Sequence, residues 1–199
     1  MRISSIAAAA VLAIGCAGVQ PQDHLGFHFH GDLGAAGSYT GAREDGMTAE
    51  LSGGGATFSL AAGGAIVPNL VLGAEVWGVA VNEPEAQDWD GTRYTIEDAT
   101  FATYGVGPRL TWYLMPANVY FSATPSFTRL SLSDDYSDYS EESRWGIGFR
   151  GAVGKEWLVS PRWGLGVAGV VHLSGNKWPG GGPTWRTWGG GLVFSASFN

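Results

Sequence analysis

Two consecutive stretches of the sequence decide the fold: WGIGFRGAVG, residues Trp145–Gly154, and WGLGVAGVVHLS, residues Trp163–Ser174. In each stretch bulky apolar residues occupy every second position, and glycine, alanine and single polar residues stand between them. Alternation with a period of two over ten residues predicts a β-strand. The five-residue connection Leu158–Arg162 predicts that the two strands form a hairpin.

The face of small residues indicates the environment of this hairpin. A strand that faces water normally carries Lys, Glu and Thr, but here that face is mostly glycine and alanine, with Arg150 as its charge. Small residues with an occasional charge suit the narrow lumen of a small barrel. The opposite face, which begins at Trp145 and at Trp163, suits contact with lipid.

The composition supports a membrane-spanning β-structure. Charged residues make up 15% of the 199 positions, well below the roughly 25% usual for soluble domains. There are 32 glycines, nine Trp and nine Phe, and no apolar run of transmembrane-helix length outside the N-terminus. A closed β-barrel is then the remaining way to span a membrane, because open sheet edges cannot satisfy their hydrogen bonds in hydrocarbon.

The charge is acidic and concentrated in a few segments. Eleven Lys and Arg stand against eighteen Asp and Glu, for a net charge of −7, so no basic patch for nucleic acid is present. Most of the acids fall in Glu44–Glu50, Glu83–Asp98 and Asp134–Glu142. These segments read as solvated surface loops, with Ca²⁺ or Mg²⁺ binding among lipopolysaccharide phosphates, or contact with a protein partner, as alternatives.

The first 17 residues have the pattern of a secretory signal peptide. Met1-Arg2 precedes an alanine-rich apolar run, and Gly15-Cys16-Ala17 is a small-x-small cleavage site. Cys16 also allows a lipoprotein interpretation, in which the cysteine is acylated. Under the simpler interpretation it is discarded with the leader, and residues 18–25 form a short lead-in to the barrel domain, residues 26–199.

Eight strands are predicted, separated alternately by long loops and short turns. The strands are 26–39, 56–67, 70–81, 100–114, 118–130, the two strands of the Trp145–Ser174 hairpin, and 185–199. The predicted long loops are 40–55, 82–98, 131–143 and 175–183, and the short turns include Pro68-Asn69 and Met115-Pro116-Ala117. An even strand count with this alternation predicts an all-β, eight-stranded antiparallel up-and-down transmembrane β-barrel.

Three segments carry a resemblance to a known class: Gly105-Val-Gly-Pro-Arg-Leu-Thr-Trp-Tyr, Gly154-Lys-Glu-Trp-Leu-Val-Ser and Trp163-Gly-Leu-Gly-Val-Ala. The chain resembles the small eight-stranded outer-membrane β-barrel proteins of the OmpA/OmpX-like class. The resemblance implies a Gram-negative outer-membrane location after signal-peptide cleavage, a non-enzymatic role in envelope integrity or surface interaction, and no cofactor. It also implies contact with outer-membrane lipid and lipopolysaccharide. The last strand, which ends in Phe198-Asn199, implies recognition by the barrel-insertion machinery.

Five charged residues are predicted to face the lumen. They are Asp32, Glu75, Arg109, Arg150 and Glu156. An eight-stranded barrel has an interior just wide enough for side chains to fill, which disfavours an open pore. Because buried charges must be paired, we expect a structural salt-bridge network, with a gate for ions or protons as the alternative.

Two further groups of polar residues suggest chemistry. His28 and His30 share the inward face with Asp32, and we expect them to be hydrogen-bonded lumen residues, with a metal site as the alternative. His172 and Ser174 are similar in spacing to the histidine and serine of outer-membrane lipid A deacylases. Against that alternative, both are predicted to face inward, and the following segment to Thr187 contains no acid to orient the histidine.

A soluble lipocalin-like barrel that binds an apolar ligand is the third alternative for the whole chain. That fold would place the Trp, Phe and Leu face inside the barrel and the small-residue face in water. The two orientations of the same alternating strands therefore separate the soluble barrel from the membrane barrel.

Overall fold

The computed structural model describes residues 23–134 and 140–199. The predicted signal peptide, its Cys16 and the first part of the predicted lead-in lie outside the described residues. In the described part of the chain, no helix is long and apolar enough to cross a membrane.

The described residues form eleven β-strands, eight of them long. In chain order they are β1 (Phe27–Glu44), β2 (Met47–Val67), β3 (Leu70–Asn82), β4 (Glu85–Gln87), β5 (Arg93–Thr95), β6 (Ala99–Leu114), β7 (Val119–Asp134), β8 (Ser140–Glu142), β9 (Gly146–Leu158), β10 (Trp163–Asn176) and β11 (Trp185–Phe198). The three short strands, β4, β5 and β8, all lie in segments predicted to be loops.

The eight long strands close into a ring. Each pairs antiparallel with its neighbours in the order β1, β2, β3, β6, β7, β9, β10, β11, and β1 completes the ring by pairing with β11 as well as β2. Phe29 of β1, for example, lies opposite Ala62 on one side and Phe198 on the other. The predicted fold class, an eight-stranded antiparallel up-and-down β-barrel, is confirmed.

The two faces of the strands point as the alternation predicts. Leu192 and Phe194 of β11 are each 76% exposed on the outer surface, whereas Val193 between them is 3% exposed and faces the lumen. Bulky apolar residues of the other long strands, such as Leu165 of β10, are also exposed outward. The soluble lipocalin-like alternative required this face inside the barrel, so the observed orientation is the opposite of what it needs.

The outward apolar surface has the height of a bilayer core. On β11 it runs from Trp188, which is 59% exposed, to Phe198. These ten steps span about 33 Å along the strand at ~3.3 Å per residue. With the usual strand tilt of about 40°, the vertical height is roughly 25 Å, which matches the apolar band of transmembrane barrels.

The first predicted long loop, residues 40–55, is wrong. Both flanking strands continue through it and join at a two-residue turn, Asp45-Gly46, whose φ angles are 49° and 84°. Asp-Gly with two positive φ angles is typical of a tight β-hairpin, because such turns match the twist of the paired strands. The β1–β2 hairpin therefore continues past the last residues that pair with the neighbouring long strands, which are Gly41 toward β11 and Gly55 toward β3.

An apolar cluster, here called the cap cluster, covers the end of the barrel that carries the long connections. Its buried members are Leu51, Ala86, Phe101 and Leu130. Strand β4 pairs with β2, which places Ala86 opposite Leu51, and β5 pairs with β4. Trp178 of the last long connection and Trp185 at the start of β11 pack against the cluster. The long-loop end is thus an ordered layer of side chains.

Candidate functional site

The centre of the lumen contains a group of ion pairs, here called the lumen charge cluster, formed by Asp32, Glu75, Arg109 and Arg150. Arg150 donates from Nη2 to both carboxylate oxygens of Asp32, at 2.8 and 3.0 Å. Its Nη1 lies 2.7 Å from Oε1 of Glu75, and Arg109 Nη1 lies 2.8 Å from the same oxygen. All four side chains are almost fully buried. The structure therefore brings together four of the five charged residues expected in the lumen.

Two hydroxyl groups complete the carboxylate shells of the lumen charge cluster. Ser59 donates to Oδ2 of Asp32 at 2.7 Å, and Thr124 donates to Oε2 of Glu75. A buried ion pair is tolerable only when such additional hydrogen bonds satisfy the remaining lone pairs. Strands β1, β2, β3, β6, β7 and β9 all contribute, so the lumen charge cluster crosses the lumen from wall to wall.

Glu156, the fifth expected residue, has a different partner. Its Oε1 lies 3.4 Å from Nδ1 of His30, and Ser197 donates to its Oε2 at 2.6 Å. Glu156 is six residues from Arg150 on β9, which is about 20 Å along the strand, too far for direct contact. We expected Glu156 to pair with the arginines, but its side chain faces His30 instead.

His30 connects Glu156 with the lumen charge cluster. Its Nε2 lies 3.7 Å from Oδ2 of Asp32, while its Nδ1 faces Glu156. Both distances exceed a normal hydrogen bond, so the two carboxylates are neighbours of the His30 ring and not hydrogen-bond partners. In the described part of the lumen, His30 thus lies between the carboxylates of Asp32 and Glu156.

The short-turn end of the lumen is closed by rings. His24 stacks on Tyr113 with ring centroids 3.6 Å apart, and its Nε2 donates to Oδ1 of Asn118 at 2.8 Å. Asn199 donates from Nδ2 to Nδ1 of His24 at 2.7 Å. His28 makes a 2.8 Å hydrogen bond between its Nε2 and the Tyr113 hydroxyl. The lead-in residue His24, to which the sequence assigned no role, is thus part of a plug.

The metal-site alternative for His28, His30 and Asp32 finds no geometric support. Each of the two imidazoles has a different partner, Tyr113 for His28 and the carboxylates for His30. Across residues 23–134 and 140–199, no group of three or more His, Cys, Asp or Glu side chains is arranged to hold a metal ion.

The layer above the lumen charge cluster contains Trp77 and His172. Trp77 donates from Nε1 to the Ser126 hydroxyl at 2.9 Å, and the His172 ring lies 6.0 Å from the Trp77 ring. Nε2 of His172 lies 3.3 Å from the hydroxyl of Ser38, not from that of Ser174. Among the described residues no carboxylate pairs with His172, and Ser174 Oγ is buried without a hydrogen-bond partner. The pair lacks the orientation that a nucleophile and its base require.

Inward-facing glycines provide the space that these large side chains fill. A Cβ atom on Gly105 would lie 2.7 Å from the Trp77 indole, one on Gly154 2.6 Å from the Tyr120 ring, and one on Gly189 2.5 Å from the His172 ring. Real Cβ atoms do not approach so closely, so glycine at these positions is a packing requirement. The lumen is therefore filled along its height.

Comparison with known proteins identifies the architecture. No protein-family model matches this sequence, and no curated protein sequence matches it. Among solved structures, Neisserial surface protein A (NspA) matches with a TM-score of 0.59 at 17% identity, over 86% of this chain and 96% of that chain. The fold is that of a small outer-membrane β-barrel. At such identity the likeness concerns the fold alone.

Two further outer-membrane barrels match less well. The outer membrane protein OprG from Pseudomonas aeruginosa has a TM-score of 0.49 at 12% identity, over 90% of this chain and 99% of that chain. The outer membrane protease OmpT from Escherichia coli has a TM-score of 0.46 at 10% identity, over 89% of this chain and 97% of that chain. Neither similarity is strong enough to suggest an activity for this barrel.

Proposed function

We propose that this chain is an integral outer-membrane β-barrel, non-enzymatic and without an open pore, that supports the envelope and presents an ordered cap at the cell surface. The observation that carries the proposal is the filled lumen. Rings around His24, the lumen charge cluster, the Trp77 layer and the cap cluster follow one another from the short-turn end to the long-loop end. In barrels of this kind short turns face the periplasm and long loops face outward.

A closed lumen predicts an absence of ion conductance. The purified barrel, reconstituted into a planar lipid bilayer beside a known porin as positive control, should insert without producing conductance steps. Insertion is checked separately by heat-modifiable gel mobility and protease protection. Reproducible steps from the wild-type barrel would contradict a closed lumen and favour the ion-gate alternative for the lumen charge cluster.

The cap is proposed as the surface for contact with other molecules. This proposal is supported by the ordered structure of the cap. Strand β4 pairs with β2, β8 pairs with β7, and the cap cluster beneath them is buried. An ordered surface loses less conformational entropy on binding than a mobile loop does. Deleting β4 and β5 together, residues 85–95, should leave the barrel heat-modifiable but abolish binding of any surface partner that the wild-type barrel captures from intact cells.

The proposed lack of deacylase activity is supported by the surroundings of His172 and Ser174. Both side chains lie in the lumen, where an acyl chain of a surrounding lipid does not reach. Incubation of the folded barrel with lipid A should release no fatty acid. Release of acyl chains that is lost on Ser174→Ala would establish the deacylase alternative and refute this part of the proposal.

A further inference from the structure

A cleft of about 640 Å³ lies on the outer surface of the barrel, between the β1–β2 hairpin and the start of β11. Arg43, Arg186, Tyr39 and Trp188 line it. All four project outward, since intervening residues such as Thr187 are buried in the lumen. The cleft thus joins two cations and two aromatic rings on the face that meets the membrane.

The backbone register places the two arginines side by side. Gly41 lies directly opposite Arg186 in the β1–β11 ladder, and Arg43 is two residues further along β1. Diagonal neighbours of this kind have Cα atoms about 7–8 Å apart. Two long side chains at that separation can approach one phosphate group from both sides. The Tyr39 side chain lies over Gly41 between them, since an added Cβ there would come within 3.0 Å of the Tyr39 hydroxyl.

Neither arginine is neutralised by a carboxylate of the described chain. Arg109 and Arg150 are paired with Glu75, and Arg129 is paired with Glu142, but no ion pair or side-chain hydrogen bond engages Arg43 or Arg186 within residues 23–134 and 140–199. The nearest acid by register is Glu50, opposite Gly41 on β2. Glu44 and Asp45 lie beyond Arg43 at the hairpin tip. Two neighbouring guanidinium groups without an ion pair among the described residues, in a chain of net charge −7, suit an anionic ligand, which would share the cleft with the Glu50 carboxylate beside Tyr39.

The height of the cleft indicates which anion is present there. Tyr39 and Trp188 form a ring pair with centroids 5.5 Å apart, at the upper end of the apolar band. Such aromatic residues mark the boundary between hydrocarbon and headgroups. Arg186 is two residues beyond Trp188, which is roughly 5 Å further from the bilayer centre. Lipid headgroup phosphates lie at this level.

We propose that Arg43 and Arg186 bind a phosphate group of lipopolysaccharide, with Tyr39 and Trp188 packed against its sugar and acyl portion. Arginine suits this role because its planar donors match phosphate oxygens in pairs. The inference rests on the proposed outer-membrane location. It names the residues that would contact lipopolysaccharide and the group they would bind, and it gives a reason for two neighbouring cations on an acidic chain.

The test is native mass spectrometry of the folded barrel, released from detergent micelles with EDTA present and titrated with diphosphoryl lipid A. The wild type should retain one lipid, and Arg43→Gln/Arg186→Gln should weaken binding by about tenfold or more, since two charge-assisted contacts are lost. Arg144→Gln/Arg162→Gln removes the same charge elsewhere and should stay within about twofold, because neither residue lines the cleft. The single variants should fall between the wild type and the double variant.

Three outcomes would overturn the proposal. The double variant could bind within about twofold of the wild type, dephosphorylated lipid A could bind equally well, or millimolar inorganic phosphate could displace the lipid, which would indicate a soluble anion site. Every sample is first checked for heat-modifiable mobility and bilayer insertion. A wild-type barrel that inserts but retains no lipid A refutes the phosphate site alone, whereas failure to insert refutes the proposed function.

Discussion

Replacement of Arg150 by methionine removes the cation with the most contacts in the lumen charge cluster. Asp32 would lose both of its charge-assisted hydrogen bonds and keep Ser59 and a distant His30, while Glu75 would keep Arg109. Breaking a buried ion pair from one side costs about 3–5 kcal/mol, because an uncompensated charge remains. We expect a loss of that size in the free energy of unfolding.

The same reasoning predicts an order among the variants. Arg109→Met should cost less, about 1–3 kcal/mol, because Glu75 keeps both Arg150 and Thr124. Asp32→Asn in the Arg150→Met background should recover part of the loss, because the stranded charge is removed. Arg162→Met, in an exposed turn between β9 and β10, is the control and should change little.

Urea unfolding in lipid vesicles, followed by tryptophan fluorescence, measures these differences. Equilibrium conditions must be confirmed by coincident unfolding and refolding curves. If Arg150→Met unfolds within about 0.5 kcal/mol of the wild type, or if Arg109→Met is the more damaging of the two, the lumen charge cluster does not have the structural role assigned to it.

Two further predictions concern neighbouring features of the lumen. His30→Gln should lower the free energy of unfolding more than His172→Gln, because His30 faces Asp32 and Glu156 whereas His172 pairs with no described carboxylate. Equal effects in the same urea assay would argue against a role of His30 in connecting Glu156 with the lumen charge cluster. Gly105→Ala should destabilise the barrel by about 1–3 kcal/mol, because the added methyl group would clash with Trp77. Gly169→Ala, whose Cβ would have nothing within 4 Å, is the control and should change the free energy of unfolding by less than about 0.5 kcal/mol. A Gly105→Ala barrel as stable as Gly169→Ala would contradict the close packing of Trp77.

The barrel and the orientation of its strands are well predicted by the sequence. Period-two alternation assigns each residue of a strand to one of two faces, so the outward position of Leu165 and the inward position of Val193 follow from the pattern alone. The shared level of Asp32, Glu75 and Arg109 follows from counting residues along each strand. Glu156 faces the lumen as predicted, but its partner His30 does not follow from the sequence, because partner choice depends on height differences between strands, which a single strand pattern does not give.

The extended hairpin and the plug were harder to predict. Ala42, Ala49 and Leu51 alternate inward within a glycine-rich and acidic segment, so the pattern was weak there, although Asp45-Gly46 was an available hairpin signal. His24 precedes the first strand and has no periodic neighbour. Its burial arises from the stacking with Tyr113 and the hydrogen bond to Asn118, contacts between segments 89 and 94 residues apart in the chain.

The most direct test of a lipid-facing barrel is to measure which face of a strand touches lipid. Methyl-labelled barrel in deuterated detergent doped with protonated lipid allows nuclear Overhauser effects between side-chain methyl groups and acyl chains to be measured without any substitution. Leu192 and Val193 are adjacent and point in opposite directions. We expect strong transfer from acyl protons to the Leu192 methyls and none to those of Val193; acyl contact at Val193, or its absence at Leu192, would contradict the membrane-spanning orientation.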